Sequence, residues 1–204
     1  MVRELAHSLH LAFGSALGVA GVRLYEQPAY IPLSQLPDGI ELRRYLARAA
    51  AEVALPAADH AEEEAFRALF HYIAGQNRDA ADGKRARRIA MTIPVEIGRA
   101  GGMLRMRFFL PKSFDVRSAP EPLDPLVHTV SVPSATHAVL RFSGASEPRR
   151  LKHYKARLLA CLPHTAWQAA EAPVGLFYDA PFTLPFLRRN EAAVRVSLRR
   201  LYGA

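Results

Sequence analysis

One cysteine, Cys161, stands among 204 residues. An intrachain disulfide is therefore excluded, and with it any zinc site built on paired thiolates. This suits a reducing compartment and is equally tolerated in an oxidising one. The short motifs of common chemistries are missing too: no G-x-S-x-G elbow, no P-loop, no H-E-x-x-H helix and no supported Cys/His pair. No aromatic-interleaved nucleic-acid signature is present, so nucleic acid is not an expected partner. Long apolar runs are scarce. The longest, LAFGSALGVAGV (11–22), falls short of the ~20 residues that span a bilayer. Its length suits a signal-peptide h-region, and Gly18-Val19-Ala20 is a small-x-small cleavage pattern, although Glu4 cancels Arg3. A short helix resting on the domain or on a membrane surface accounts for residues 1–22 equally well.

What is present is globular material. Half the residues are hydrophobic and 23% are charged, enough to build a core in one domain or two small ones. The formal net charge of +8 favours an anionic partner, whether nucleic acid, a membrane surface or an acidic small molecule, the first without a motif to support it. The densest basic run, GKRARR (83–88), reads as a solvated loop. Two extended runs flank Pro37-Asp38-Gly39, a strong turn signal, and the second alternates through Ile40, Leu42 and Tyr45. A helix follows, with acids at 62–64 suiting its N-terminal dipole. Phe66, Leu69, Phe70 and Ile73 at i, i+3, i+4, i+7 predict its core-facing stripe. Strands are expected over 88–98 and 103–111 across Gly101-Gly102. The second half repeats the order: strands at 126–133 and 136–144, a helix over 148–162, then strands at 173–181 and 191–201. Each half is strand–strand–helix–strand–strand. The expectation is an α+β fold whose antiparallel sheet curls towards a barrel, with Pro94 confined to an edge or bulge.

IELRRY (40–45), AFRALFHYIAGQN (65–77), IAMTIPV (89–95), RFFLP (107–111), VLRFSG (139–144) and APVGLFYDAPFTLPFLRRNEAAV (172–194) occur in this order. Together they resemble the SOUL/haem-binding protein family, especially its bacterial branch, with residues 23–204 as the domain and 1–22 as a preceding segment. The resemblance implies a distorted antiparallel eight-stranded β-barrel from a duplicated ββαββ unit, with two flanking helices. It also implies non-catalytic binding of haem or another tetrapyrrole in a shallow hydrophobic cleft beside the first helix. The matching positions are Phe66 and Phe70, with Leu69 between them, aromatic where relatives often carry methionine. Some relatives carry a histidine after the arginine of the second strand; here that position is Arg44, so that route to iron is missing. His71 stands where relatives can carry a lysine near the ligand's rim. Its wheel position, about 150° from the stripe, also fits a solvated histidine. Met91 and Met106 belong to strands that should border the cleft, with gap-filling in the core as the plainer role.

The segment 177–191 reads as a rigid, partly apolar lip limited by Pro181 and Pro185. In it, Arg188 and Arg189 are candidates equally for the ligand and for ion pairs with Glu191 or Asp179. His153 faces away from its helix's apolar stripe, whereas Cys161 falls near that stripe's edge as a small buried hydrophobe. His7, His10 and His60 have no metal-ligand spacing, and His128 and His137 are expected to pack across a tight turn. A different outcome is a GyrI-like module that binds or hydrolyses amphipathic small molecules. It would want a carboxylate inside the cleft, for which Glu52, Glu96 and Glu171 are the candidates.

Overall fold

The computed structural model describes residues 25–80, 83–84, 86–145, 147–179 and 183–199; residues 1–22 and Pro181 lie outside them. Strand β1 (Tyr30–Leu36) turns at Pro37–Gly39 into β2 (Ile40–Tyr45). The turn needs positive φ, which Asp38 at 62° and Gly39 at 73° adopt at little cost. β3 (Arg48–Pro56) leads to helix α1 (Ala61–Ala74), followed by β4 (Asn77–Arg78), β5 (Val95–Ala100), β6 (Met103–Phe109) and β7 (Glu121–Pro122). The second half supplies β8 (His128–Val132), β9 (Ala135–Phe142), helix α2 (Pro148–Cys161), β10 (Trp167–Ala169), β11 (Val174–Phe177) and β12 (Asn190–Leu198).

One antiparallel sheet runs β1-β2-β9-β12-β11-β5-β6-β3-β8, with β10 added to β12. The duplicated unit is visible in this order. β2, β3, β5 and β6 of the first half correspond to β8, β9, β11 and β12 of the second, about a pseudo-twofold axis between β5 and β11. The expected first pair is displaced by one element: the run over 40–55 breaks at Leu46–Ala47, so the repeat begins at β2 and β1 is an addition. Pro94 precedes β5 rather than lying inside a strand, and the Ile93–Pro94 peptide is cis.

Connection lengths show how far the sheet curls. β2 and β3 are six strand spacings apart, about 29 Å if flat, yet two residues join them and reach at most about 11 Å. Pro133 and Ser134 set the same constraint between β8 and β9. Ser134 also donates to the Tyr45 carbonyl at 2.9 Å, tying the two connections together. The sheet therefore wraps into a half-barrel. It does not close into the expected eight-stranded barrel, because β1 occupies the hydrogen-bonding edge of β2 that closure onto β8 would require.

Both helices lie on the convex face, α1 on β3 and β6 and α2 on β9 and β12. Under α1 are Ala49, Ala51, Val53, Leu104, Met106 and Phe108; under α2 are Ile40, Leu42, Leu140, Ala192 and Val194. Glu62, Glu63 and Glu64 face the positive end of α1, and Gly75 (φ 119°) ends it by returning its N–H to the His71 and Tyr72 carbonyls. Among the described residues no helix is long and apolar enough to cross a membrane.

Candidate functional site

Helix α1 is rotated from the position its large residues predict. Its buried arc is Ala61, Ala65, Ala68, Leu69, Tyr72 and Ile73, whereas Phe66 and Phe70 are half-buried. Three alanines let the helix settle close to the sheet, and Tyr72 locks it by donating to the Pro120 carbonyl at 2.8 Å. On the wheel Phe66 and Phe70 then project from one flank, roughly 90–130° from the centre of the buried arc. That flank faces β5, which neither helix covers.

β5 and its partner β11 floor a groove between the helices. Val95 and Ile97 pack half-buried against the α1 core, and their cross-strand partners Phe177 and Gly175 share that face. Leu151 of α2 closes the far side: a Cβ on Gly175 would come within 2.9 Å of it. Four strand spacings would separate the helix axes by about 19 Å on a flat sheet and by more on a convex face, so helices about 10 Å across leave at least about 9 Å between them. The near wall is aromatic. Phe66 and Phe70 lie stacked, centroids 6.2 Å apart and planes 11° apart, and Phe66 meets the edge of buried Phe108 at 5.2 Å. Sequence reading missed Val95, Ile97 and Phe108; the alternation of VEIG was the available signal.

Other expected residues are placed less uniformly. Met91 is half-buried against the α1 core at the Val95 end of the groove. Leu69, fully buried, backs the phenylalanines rather than facing the groove. His71 is exposed, about 100° beyond Phe70 around the helix. Arg188 sits in the connection leaving β11 beside Phe177, its Nε donating to the Thr183 carbonyl at 2.7 Å. Arg189 is structural: Nη2 binds Glu191 at 2.7 Å, its N–H donates to Asp179, and its guanidinium lies over Tyr178 at 3.9 Å. Phe186 of the lip is 71% exposed. Together the phenylalanines and the half-buried floor form an apolar groove with an aromatic wall. Met106 is fully buried beneath α1, as the gap-filling reading expected.

The concave face is different in kind. Glu191, wholly buried, receives hydrogen bonds from Arg43 at 2.9 Å, the Tyr178 hydroxyl at 2.7 Å and Arg189. Burial alone would raise its pKa, but Arg43, Arg189 and that hydroxyl together hold it below the usual carboxylate value. Glu52 and Glu96 also point to this face, away from the groove. Arg107 binds Glu52 at 2.5 Å and Glu96 at 3.0 Å. Glu171 is exposed and paired with Arg195 at 2.9 Å. His128 and His137 are not cross-strand partners, because β8 pairs with β3 and β9 with β2 and β12: His128 stands opposite Glu52 and His137 opposite Arg43 and Arg195. His153 is exposed against the edge of Tyr154, and Cys161 is buried. Among the described residues no three His, Cys, Asp or Glu side chains gather as a metal site.

Comparison with solved structures finds this fold repeatedly. The C-terminal domain of EcmrR superposes with a TM-score of 0.59 at 9% identity, over 78% of this chain and 98% of that one. An uncharacterized conserved protein from Listeria innocua gives 0.55 at 11% identity, over 78% and 92%. A hydrolase from the same organism gives 0.53 at 12% identity, over 82% and 94%. At such identities the likeness speaks for the fold alone. No curated protein matches the sequence significantly. The profile described as SOUL heme-binding protein matches residues 25–195. With that match spanning most of the chain, and with the duplicated ββαββ half-barrel beneath it, the protein belongs to the SOUL heme-binding family.

Proposed function

We propose that the protein binds haem or a related tetrapyrrole in the groove between α1 and the β5–β11 floor, as a carrier, buffer or sensor without catalysis. The observation that carries this reading is the stacked Phe66–Phe70 pair, held half-exposed over an apolar floor by a helix whose alanines do the core packing. Water-exposed aromatic surface of this kind is costly unless something flat covers it. The groove's opening of at least about 9 Å admits a planar ring with contact distances of about 3.5 Å on either face. Affinity comes from stacking and apolar contact. Arg188 and His71 are the candidates for meeting the propionates, and a bound haem would add iron coordination where a donor reaches it. The family match supports the ligand class.

The GyrI-like effector or hydrolase reading required an uncompensated carboxylate inside the cleft. Glu52 and Glu96 instead lie on the opposite face in ion pairs with Arg107, and nothing in the groove favours that chemistry.

Hemin titration followed by the Soret band tests the proposal. Saturable binding is expected, weakened about tenfold (about 1.4 kcal/mol) by Phe66→Ala or Phe70→Ala and altered by less than threefold in His71→Ala. Absence of a saturable shift in the unmodified protein would overturn the reading. Loss of binding in His71→Ala alone would make His71 a ligand rather than a rim contact.

A further inference from the structure

Inside the curl, on the face away from the helices, β3, β5, β6, β8, β9, β11 and β12 line a cavity of about 170 Å³ that opens to solvent. It has the volume of about six waters, far too small for a tetrapyrrole. Its charged lining is Arg48, Arg105, Arg107 and Arg195 against Glu96 and Glu171.

Most of these charges cancel in place. Arg195 is matched by Glu171 at 2.9 Å. Arg107 and Arg105 share Glu96 and Glu52, Arg107 closely and Arg105 only at 3.7 Å and 4.0 Å. Arg48 is left over. Among the described residues no carboxylate lies within ion-pair distance of it. Its one hydrogen bond runs from Nη1 to the Leu46 carbonyl at 3.2 Å. The rings of Tyr45 and Phe109, at 4.8 Å and 4.4 Å, pack against the guanidinium and hold it in place without neutralising it. The Nε atoms of Arg48 and Arg105 are both buried with no hydrogen-bond partner. Arg105 Nε keeps Glu52 at 4.0 Å, whereas Arg48 Nε has neither a hydrogen bond nor an ion pair, and buried polar groups are nearly always satisfied. Arg48 is half-buried, and Glu96, beyond ion-pair distance, compensates its charge only in part.

We propose that this cavity is a second ligand site, separate from the tetrapyrrole groove, which takes a small organic monocarboxylate with Arg48 as its counter-charge. One partly compensated positive charge calls for one negative charge, and a dianion would reverse the imbalance. The fixed guanidinium offers the planar donor edge that a carboxylate engages. Ser131 and His137 add polar groups to the wall. Burial and Arg48 hold the His137 imidazole down to about 4, so the ring is neutral and does not compete for the anion at neutral pH.

The test is a ¹⁵N–¹H titration of the full chain with sodium acetate and sodium propionate at constant ionic strength, reading the arginine Nε–H resonances and the Ser131 amide. Saturable shifts of Arg48 and Ser131 are expected with the carboxylates and not with chloride. In Arg48→Met the Ser131 shift should become linear in concentration. In Arg48→Lys, which keeps the charge but loses the planar fork, the apparent Kd should rise at least fivefold. Linear shifts in the unmodified protein, or an unchanged Kd in either substituted chain, would overturn the proposal. Hemin titration of Arg48→Met should match the unmodified protein within twofold; a greater loss would show that the two sites are not separate.

Discussion

Glu191 shows how a side chain can be decided by partners that are remote in sequence. Its neighbours Arg189 and Tyr178 come from the same hairpin, but Arg43 arrives from the other half of the chain, 148 positions away. Replacing Glu191 with Gln leaves buried Arg43 with Glu41, at 2.8 Å, as its remaining carboxylate, and a loss of about 3 kcal/mol in urea unfolding is expected. Because the folded-state pKa of Glu191 is depressed, the stability it confers is present above the unfolded carboxylate value near 4.3. It disappears as pH falls through the lower folded-state value. His137 acts over a more accessible window. Burial, then Arg48, lower it from 6.5 to about 4. The unfolded chain therefore binds the proton first, so stability is full above pH 6.5 and declines as pH falls towards 4. About 2–3 kcal/mol of the unfolding free energy should be lost across that interval, and urea titrations at pH 7.5 and 4.5 should show the difference shrinking in His137→Gln.

At the scale of elements, the decisive arrangement is two helices that leave the central β5–β11 pair uncovered. The phenylalanines of α1 were legible as apolar and helical, and their spacing suggested core. Their actual place on the flank follows from Ala61, Ala65 and Ala68, which carry little hydrophobic signal yet set how closely the helix can approach the sheet. The groove floor is open only because residues there are small or half-buried. Ile97→Trp should fill it, weakening hemin binding at least tenfold while moving the urea midpoint little, since the new ring lies on an exposed floor. Gly175→Val works from the other side. Its Cβ would stand only 2.9 Å from carbons of Leu151 and Phe177, so a branched side chain there should cost about 1–3 kcal/mol and narrow the groove. Thermal unfolding and Soret titration together separate the two effects.

For the whole molecule, the net charge of +8 predicts that a dianionic tetrapyrrole is drawn in electrostatically. Stopped-flow association of protoporphyrin IX should slow several-fold between about 50 mM and 500 mM salt while dissociation changes little, because contact in the groove is mainly apolar. If the rates respond equally, charge holds the ligand as well as steering it. The half-barrel also separates two environments: an apolar groove outside, beneath the helices, and a charged interior within the curl. The strands that floor the groove on one face wall the charged cavity on the other.

Sequence by itself determined the duplicated order except for its first strand pair, together with the turns at Asp38-Gly39 and Gly101-Gly102, the two helices and the family, because these rest on local periodicity and on motifs contiguous in the chain. Phe66, Phe70 and Met91 were within its reach for the same reason. Tertiary structure alone decided that β1 blocks closure of the barrel and that β8 pairs with β3 rather than with β9, so that His128 and His137 are not cross-strand partners. It also decided which flank of α1 overlooks the floor and which arginine inside the curl remains without a carboxylate. Strand pairing and charge compensation are settled between residues far apart in sequence, where a local pattern holds no record of the partner.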